Sequence, residues 1–399
     1  MLSETNLDRY SDVLIWAVKK ARKGTYRKHD ILLVRYQLGA IKLAEVLHAK
    51  LLDMGMNPVL RIGLTSGMEH NFYEKSDPRQ LVFHPPGEKQ LYKALNGGIY
   101  LLAPDSLTHL KDIDPAKIGK TAVALKPLRD ILNKREEQGL FGWTLCMVPT
   151  LELAKQAGLT MKQYTAQVIK ACYLDKKDPV EAWNNIYKQA TAVKHWLNRL
   201  DVEYFRIESK NIDLRITPGE KRQWVGISGH NIPSFEIFHS PDYRGTEGVY
   251  YADQPSFRSG NLVEGVRLTF RKGAVVKVGA KKGAGFIEKQ VAMDEGAGRV
   301  GEFSLTDKRF SRINRFMANT LYDENHGGPH GNCHLALGSS YSDSYSGDQT
   351  GLTKVRKEKL GFNDSALHWD LVNTEKKMVT AHLRSGKTIV VYEDGCFMV

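Results

Sequence analysis

Cysteine is scarce in this sequence and never clustered. Only Cys146, Cys172, Cys333 and Cys396 occur among 399 residues, and no two form a Cys-x-x-Cys pair. That excludes a dense disulfide framework and a thiolate zinc site, and it fits reduced thiols. No stretch approaches the roughly 20 consecutive apolar residues that a membrane-spanning helix needs. The start, Met1-Leu-Ser-Glu-Thr-Asn-Leu-Asp8, has neither a basic opening nor an apolar signal core, so a cytoplasmic protein with no membrane partner is expected. The first half also lacks a Gly-x-Gly-x-x-Gly turn and a Gly-Lys-Ser phosphate loop, which leaves a nucleotide site without support. No Gly-x-Ser-x-Gly elbow is present, so the sequence gives no reason to expect hydrolysis by a serine nucleophile.

What is abundant is positive charge, a formal +12, beside an ordinary 42% of hydrophobic residues. Basic clusters lie at Lys19–Lys23, Arg271–Lys282 and Lys354–Lys359. A nucleic-acid binder would use such clusters to neutralise phosphates. No zinc finger, RNA-recognition aromatic motif or Gly-x-x-Gly clamp accompanies them, so a solvated cationic surface is the simpler reading.

The first half alternates short apolar runs with amphipathic segments, as a layered α/β domain does. Asp30–Tyr36 reads as a buried strand, and Ala40, Ala44, Leu47, Leu51 and Met54 follow at helical spacing, with Gly55 placed to cap the helix. Asn57–Ile62 returns as a strand, and Gly98–Ala103 and Trp143–Val148 repeat the cycle. Longer helices are expected over Leu151–Leu174 and Pro179–Leu200, the second capped by Asp178. Beyond residue 200 the runs shorten, and Val266–Phe270, Lys272-Gly273 and Ala274–Val278 read as a hairpin. The expected organisation is an α/β scaffold domain over residues 1–200 and a strand-rich α+β catalytic domain over 201–399.

Four motifs in the second half combine metal-ligand residue types with chain geometry that can aim them. In Phe235-Glu236-Ile237-Phe238 a carboxylate interrupts an apolar strand, and alternation sets Glu236 on the face opposite Ile237. In Asp294-Glu-Gly-Ala-Gly-Arg-Val-Gly301-Glu302, glycines let backbone approach closely around Glu302. The third is Asp323-Glu324-Asn325-His326-Gly-Gly-Pro-His330-Gly-Asn-Cys-His334, with Tyr341 beyond it. The fourth is His368-Trp-Asp370, whose spacing projects both side chains from one face of a strand. Several carboxylates and imidazoles together suit two divalent cations that share a carboxylate.

From about Asp201 onward these motifs, with Trp224–Asn231, Gly260–Leu268 and Cys333–Gly338, resemble the thermophilic metalloprotease-type aminopeptidases, the aminopeptidase T and aminopeptidase S group. The resemblance implies that Glu236, Glu302, His334, His368 and Asp370 are metal ligands, that Glu324 belongs to the site, and that Tyr341 lies beside the metals. It implies a peptide substrate with a free N-terminus, two divalent ions (zinc, cobalt or manganese) and a homodimer. Glu302 is then the candidate bridging carboxylate, and Glu302 or Glu324 the general base. One departure stands out: the stretch from Asn325 to His334 carries an apparent His-Gly-Gly-Pro-His-Gly insertion, which leaves His326 and His330 as candidates for extra ligands or substrate contacts. Two other readings are a metal-dependent hydrolase of a non-peptide amide and, more distantly, a basic nucleic-acid-binding protein.

Overall fold

The computed structural model describes residues 2–259 and 261–399. The chain divides into one unit running to Trp183 and including Ser228–Pro233, and a second made of Asn184–Ile227 and Ser234–Val399.

The first unit is an α/β layer built on parallel strands in the order Asn57–Ile62, Ile31–Tyr36, Gly97–Leu102, Gly142–Met147 and Asn231–Ile232. Leu32, Leu33 and Val34 are all buried, the continuous apolar run of a strand covered on both faces. The helix Ile41–Asp53 buries Leu43, Ala44, Leu47 and Leu51 along one stripe, and Gly55 follows its end at φ 74°, where a Cβ would be strained. Asp178 accepts the Glu181 amide at 2.8 Å and so caps the helix Pro179–Asn198. The single helix expected over Leu151–Leu174 is two helices, Leu151–Gln156 and Met161–Ala171. Gly158 at φ 67° breaks the chain between them, and Thr160 and Gln163 then form a reciprocal capping box that restarts it.

The second unit stacks two antiparallel sheets. The larger has the order Ala274–Gly279, Val266–Arg271, Asp242–Ala252, Asp213–Thr217, Val202–Ser209, Lys377–Leu383, Thr388–Glu393 and Cys396–Phe397. Its first hairpin turns through Lys272 and Gly273, both at positive φ, as a tight hairpin turn requires. The smaller sheet has the order His368–Asn373, Asn332–Gly338, Val300–Thr306 and Glu236–His239. Phe303, Leu305, Leu335, Leu337 and Leu371 of the smaller sheet are buried, as are Phe205, Ile207, Leu214 and Leu268 of the larger. Burying each such side chain contributes about 1.5–3 kcal/mol. The Tyr250 hydroxyl joins the sheets, donating to Leu371 O at 2.7 Å.

A candidate metal centre on one face of the smaller sheet

Strand alternation gives the smaller sheet two chemically different faces. Register pairs Glu236 with Thr306, Phe238 with Ser304, Ser304 with His334, Glu302 with Ala336, Ala336 with Asp370 and Gly338 with His368. Residues paired across strands share a face, so Glu236, Glu302, His334, His368 and Asp370 all lie on one. Small residues, Ser304, Ala336 and Gly338, stand among them and leave room above the sheet. The opposite face carries the buried core side chains. A histidine on that side, His239, packs at 4.4 Å from Trp224, and burial lowers its pKa to about 3. His239 is a neutral core residue, while His334 faces carboxylates.

Gly301 precedes Glu302 at an irregularity in its strand. The pairing register shifts between Val300 and Glu302, the mark of a bulge. A Cβ on Gly301 would stand 2.3 Å from Ser339 O, so only glycine fits there. Glu302 continues the alternation of Thr306 and Ser304 on the polar face, and the bulge carries Val300 to the apolar one.

At the centre, His334 Nε2 lies 2.9 Å from Glu302 Oε1, 3.5 Å from Glu236 Oε2 and 3.9 Å from Asp370 Oδ1. His368 Nε2 lies 3.4 Å from Asp370 Oδ1 and 4.0 Å from Glu302 Oε2. The two oxygens of Glu302 therefore face different imidazoles. His368 Nδ1 donates to Ser339 O at 2.9 Å, so Nε2, which faces the carboxylates, is the nitrogen left to lose its proton and hold a metal. Glu236, Glu302 and His334 each offer a ligand atom within 4.8 Å of the others, and all three are buried.

Glu324 follows the short helix Thr320–Asp323 and is buried near the same group. Asn325 beside it accepts the Phe235 amide and donates to Leu321 O at 2.9 Å and Glu324 Oε1 at 3.5 Å. The Tyr341 amide donates to Ser240 Oγ at 2.8 Å, and its ring sits 4.7 Å from that of His368. Tyr341 is 46% exposed as a whole residue.

The protonation balance shows a centre short of positive charge. Burial, then the charges of Glu302 and Asp370, push Glu236 up to about 8, although His334 opposes this. Burial and the carboxylates of Glu236, Asp370 and Glu302 hold Glu324 well above the usual range. Burial disfavours the imidazolium forms, yet the carboxylates outweigh it and raise both His334 and His368 to about 9. Burial also opposes ionisation of Asp370, but His368, His334 and Arg258 overcome it and its pKa is lowered. Crowding of the Tyr341 hydroxyl end, followed by the same carboxylates, raises that phenol well above its ordinary value. Four carboxylates around two imidazoles recruit protons where a divalent cation would otherwise sit, and the oxygen-and-nitrogen donor set fits such an ion.

The two histidines of the insertion do not join this cluster. His326 is buried, and the charges that act on it are those of Asp253 and Lys377. His330 Nδ1 lies 3.5 Å from Asp394 Oδ1, in the turn before the last strand. Two contributors have no motif of their own. Arg258 Nη1 donates to His368 O at 2.8 Å and supplies positive charge near Asp370, with no pattern around it to mark it. Asn325 stands inside the third motif, where its polarity between Glu324 and His326 was the one available signal.

The sequence is similar to aminopeptidase AmpS of Bacillus subtilis (strain 168), 30% identical over 241 residues, 57% of each chain. It is 28% identical to aminopeptidase T of Thermus aquaticus over 65% of this chain and 63% of that one. It is 27% identical to aminopeptidase 2 of Geobacillus stearothermophilus over 72% of each. The match thus spans less than two thirds of the length of the first two relatives. The solved structure of AmpT from Thermus thermophilus has the same fold, with a TM-score of 0.79 at 20% identity, covering 98% of this chain and 99% of that one. The sequence model of the thermophilic metalloprotease (M29) family matches residues 3–397, and the chain belongs to that family.

Proposed function

We propose that this M29 protein is a two-metal aminopeptidase that removes residues from the free N-terminus of peptides. The observation that carries the reading is Glu302, whose two oxygens face His334 and His368 separately. Glu302 would be shared by two ions, and Glu236, His334, His368, Asp370 and Glu324 would be the other residues holding them. When bound, such a pair polarises a scissile carbonyl and lowers the pKa of a water molecule.

The chain's own groups account for orientation and proton movement. Glu324 is the proton carrier: buried beside the ligand carboxylates, it can accept a proton from water once cations offset their charge, and return it to the leaving amine nitrogen. Tyr341 keeps its phenolic proton under all working conditions because its pKa is raised, so it can donate a hydrogen bond to the oxyanion that forms. Ser339 O and Arg258 hold His368 in place through its ring and its carbonyl.

The test is hydrolysis of aminoacyl-p-nitroanilides by chelator-treated protein before and after zinc, cobalt or manganese is restored. Loss and recovery of activity support the reading, and the metal that restores most activity ranks the cations. A folded protein that cleaves none of them with any metal overturns it. The homodimer is proposed on the resemblance alone, and light scattering in solution measures it.

A further inference from the structure

The segment Ser228–Pro233 carries a hydrogen-bond chain that the metal centre does not use. Ser228 Oγ lies 2.6 Å from His230 Nδ1, and His230 Nε2 lies 2.5 Å from Glu136 Oε1. Trp143 Nε1 donates to the other oxygen, Glu136 Oε2, at 3.2 Å, and its ring packs 4.6 Å from the His230 ring. The protons can be placed by elimination. An ionised Glu136 only accepts, so His230 Nε2 carries the proton; Nδ1 then presents a lone pair, and the serine hydroxyl donates to it.

The backbone around the serine has the geometry of a sharp turn. Ile227 lies at φ 50°, a left-handed conformation that a β-branched residue adopts only under constraint. Gly229 lies at φ 92°, and a Cβ there would meet Ala17 O at 2.2 Å. The Gly229 amide, next in the chain after the serine, donates to no acceptor among the described residues. The side chains of His230 and Glu136 are 22% and 28% exposed, so small molecules can reach the group.

We propose that Ser228 is a second nucleophile, acting on small activated esters independently of the metal centre, with His230 as its base and Glu136 as the group that fixes the His230 tautomer. Ser228 Oγ bonds to the ester carbonyl carbon as its proton passes to His230 Nδ1. The C–O bond to the alcohol breaks, and the alcohol leaves with that proton. Water then attacks the acyl-serine, Nδ1 takes its proton and returns it to Oγ, and the carboxylic acid is released. The Gly229 amide, next in the chain after Ser228, is the donor proposed for the oxyanion formed at the carbonyl.

The experiment is covalent labelling of the full-length, metal-loaded protein with a fluorophosphonate, read by peptide mass spectrometry. The Oγ–P bond forms, the P–F bond breaks and fluoride leaves. A single adduct on the peptide containing Ser228 is expected, absent from Ser228→Ala. Glu136→Gln presents a donor to Nε2 and drives the proton to Nδ1, so it should slow labelling by at least ~100-fold. Glu302→Gln, which disables the metal centre, should label at the wild-type rate. Circular dichroism melting shows whether each variant is folded. No adduct on Ser228 in folded wild-type protein, or labelling unchanged in folded Glu136→Gln, overturns the proposal.

Discussion

The side-chain oxygen of Asn325 accepts the backbone amide of Phe235, the residue immediately before Glu236. Asn325 is fully buried and also donates to Leu321 O and Glu324. It thereby locks the entry of one site strand to the helix end that carries Glu324. Removing it in Asn325→Ala leaves a buried amide unpaired, which costs about 1–3 kcal/mol. A fall in Tm of several degrees is expected, with metal affinity weakened by about 10-fold or more, as for other groups that orient ligands. Calorimetric titration of the metal checks this; unchanged affinity would remove Asn325 from a positioning role.

Proton release should accompany metal binding. In the metal-free protein His334 and His368 have pKa values raised to about 9, so both are protonated at neutral pH. Ions that take their Nε2 lone pairs must displace about two protons from the rings, and the protons that Glu236 and Glu324 hold at neutral pH add to that count. Affinity should therefore rise with pH through neutrality and level off above about 9, where both rings are already neutral. Titration in buffers of different ionisation enthalpy counts the protons, and a count near zero would contradict this protonation scheme.

Glu302→Gln keeps the shape of the side chain but removes one anionic oxygen. Loss of kcat by about 1,000-fold or more is expected, together with reduced metal content by elemental analysis. Near-normal peptidase activity in this variant would disprove the bridging assignment.

Tyr341→Phe deletes only the hydroxyl. The ring contacts with His368 and Phe238 can persist, so KM should change little while kcat falls by about 100-fold, as for loss of an oxyanion donor. A pure rise in KM would instead assign Tyr341 to substrate binding.

His330→Ala should leave activity and metal content within about twofold of the parent, since this residue faces Asp394 and surface ion pairs are worth about 1 kcal/mol or less. Loss of a bound metal would reverse that placement.

Much of this architecture can be read from local pattern. The strand Asn57–Ile62 begins and ends where the apolar run does, and period-two spacing in His368-Trp-Asp370 sends both polar side chains to one face. What escapes the pattern is set by tertiary structure. Apolar spacing runs on past Gln156, so one helix is the natural reading, and only Gly158 and Thr160 divide it. The return of Ser228–Pro233 to the first unit depends on pairing of Leu145 with Asn231, which neither short segment announces. Arg258 reaches His368 over 110 residues of chain, a distance at which sequence spacing carries no signal.

The bulge at Gly301 also sets where the gene can change length. Val300 pairs with Leu337 and Glu302 with Ala336, which are consecutive on their strand, so Gly301 is the residue without a partner and losing it would leave Glu302 opposite Ala336. Losing a paired residue such as Phe303 would instead turn Glu302 toward the apolar face or move it out of register with Ala336, because a strand presents its two faces in strict alternation. The same strand thus has a codon at Gly301 whose loss keeps the site in register and a codon at Phe303 whose loss should abolish activity.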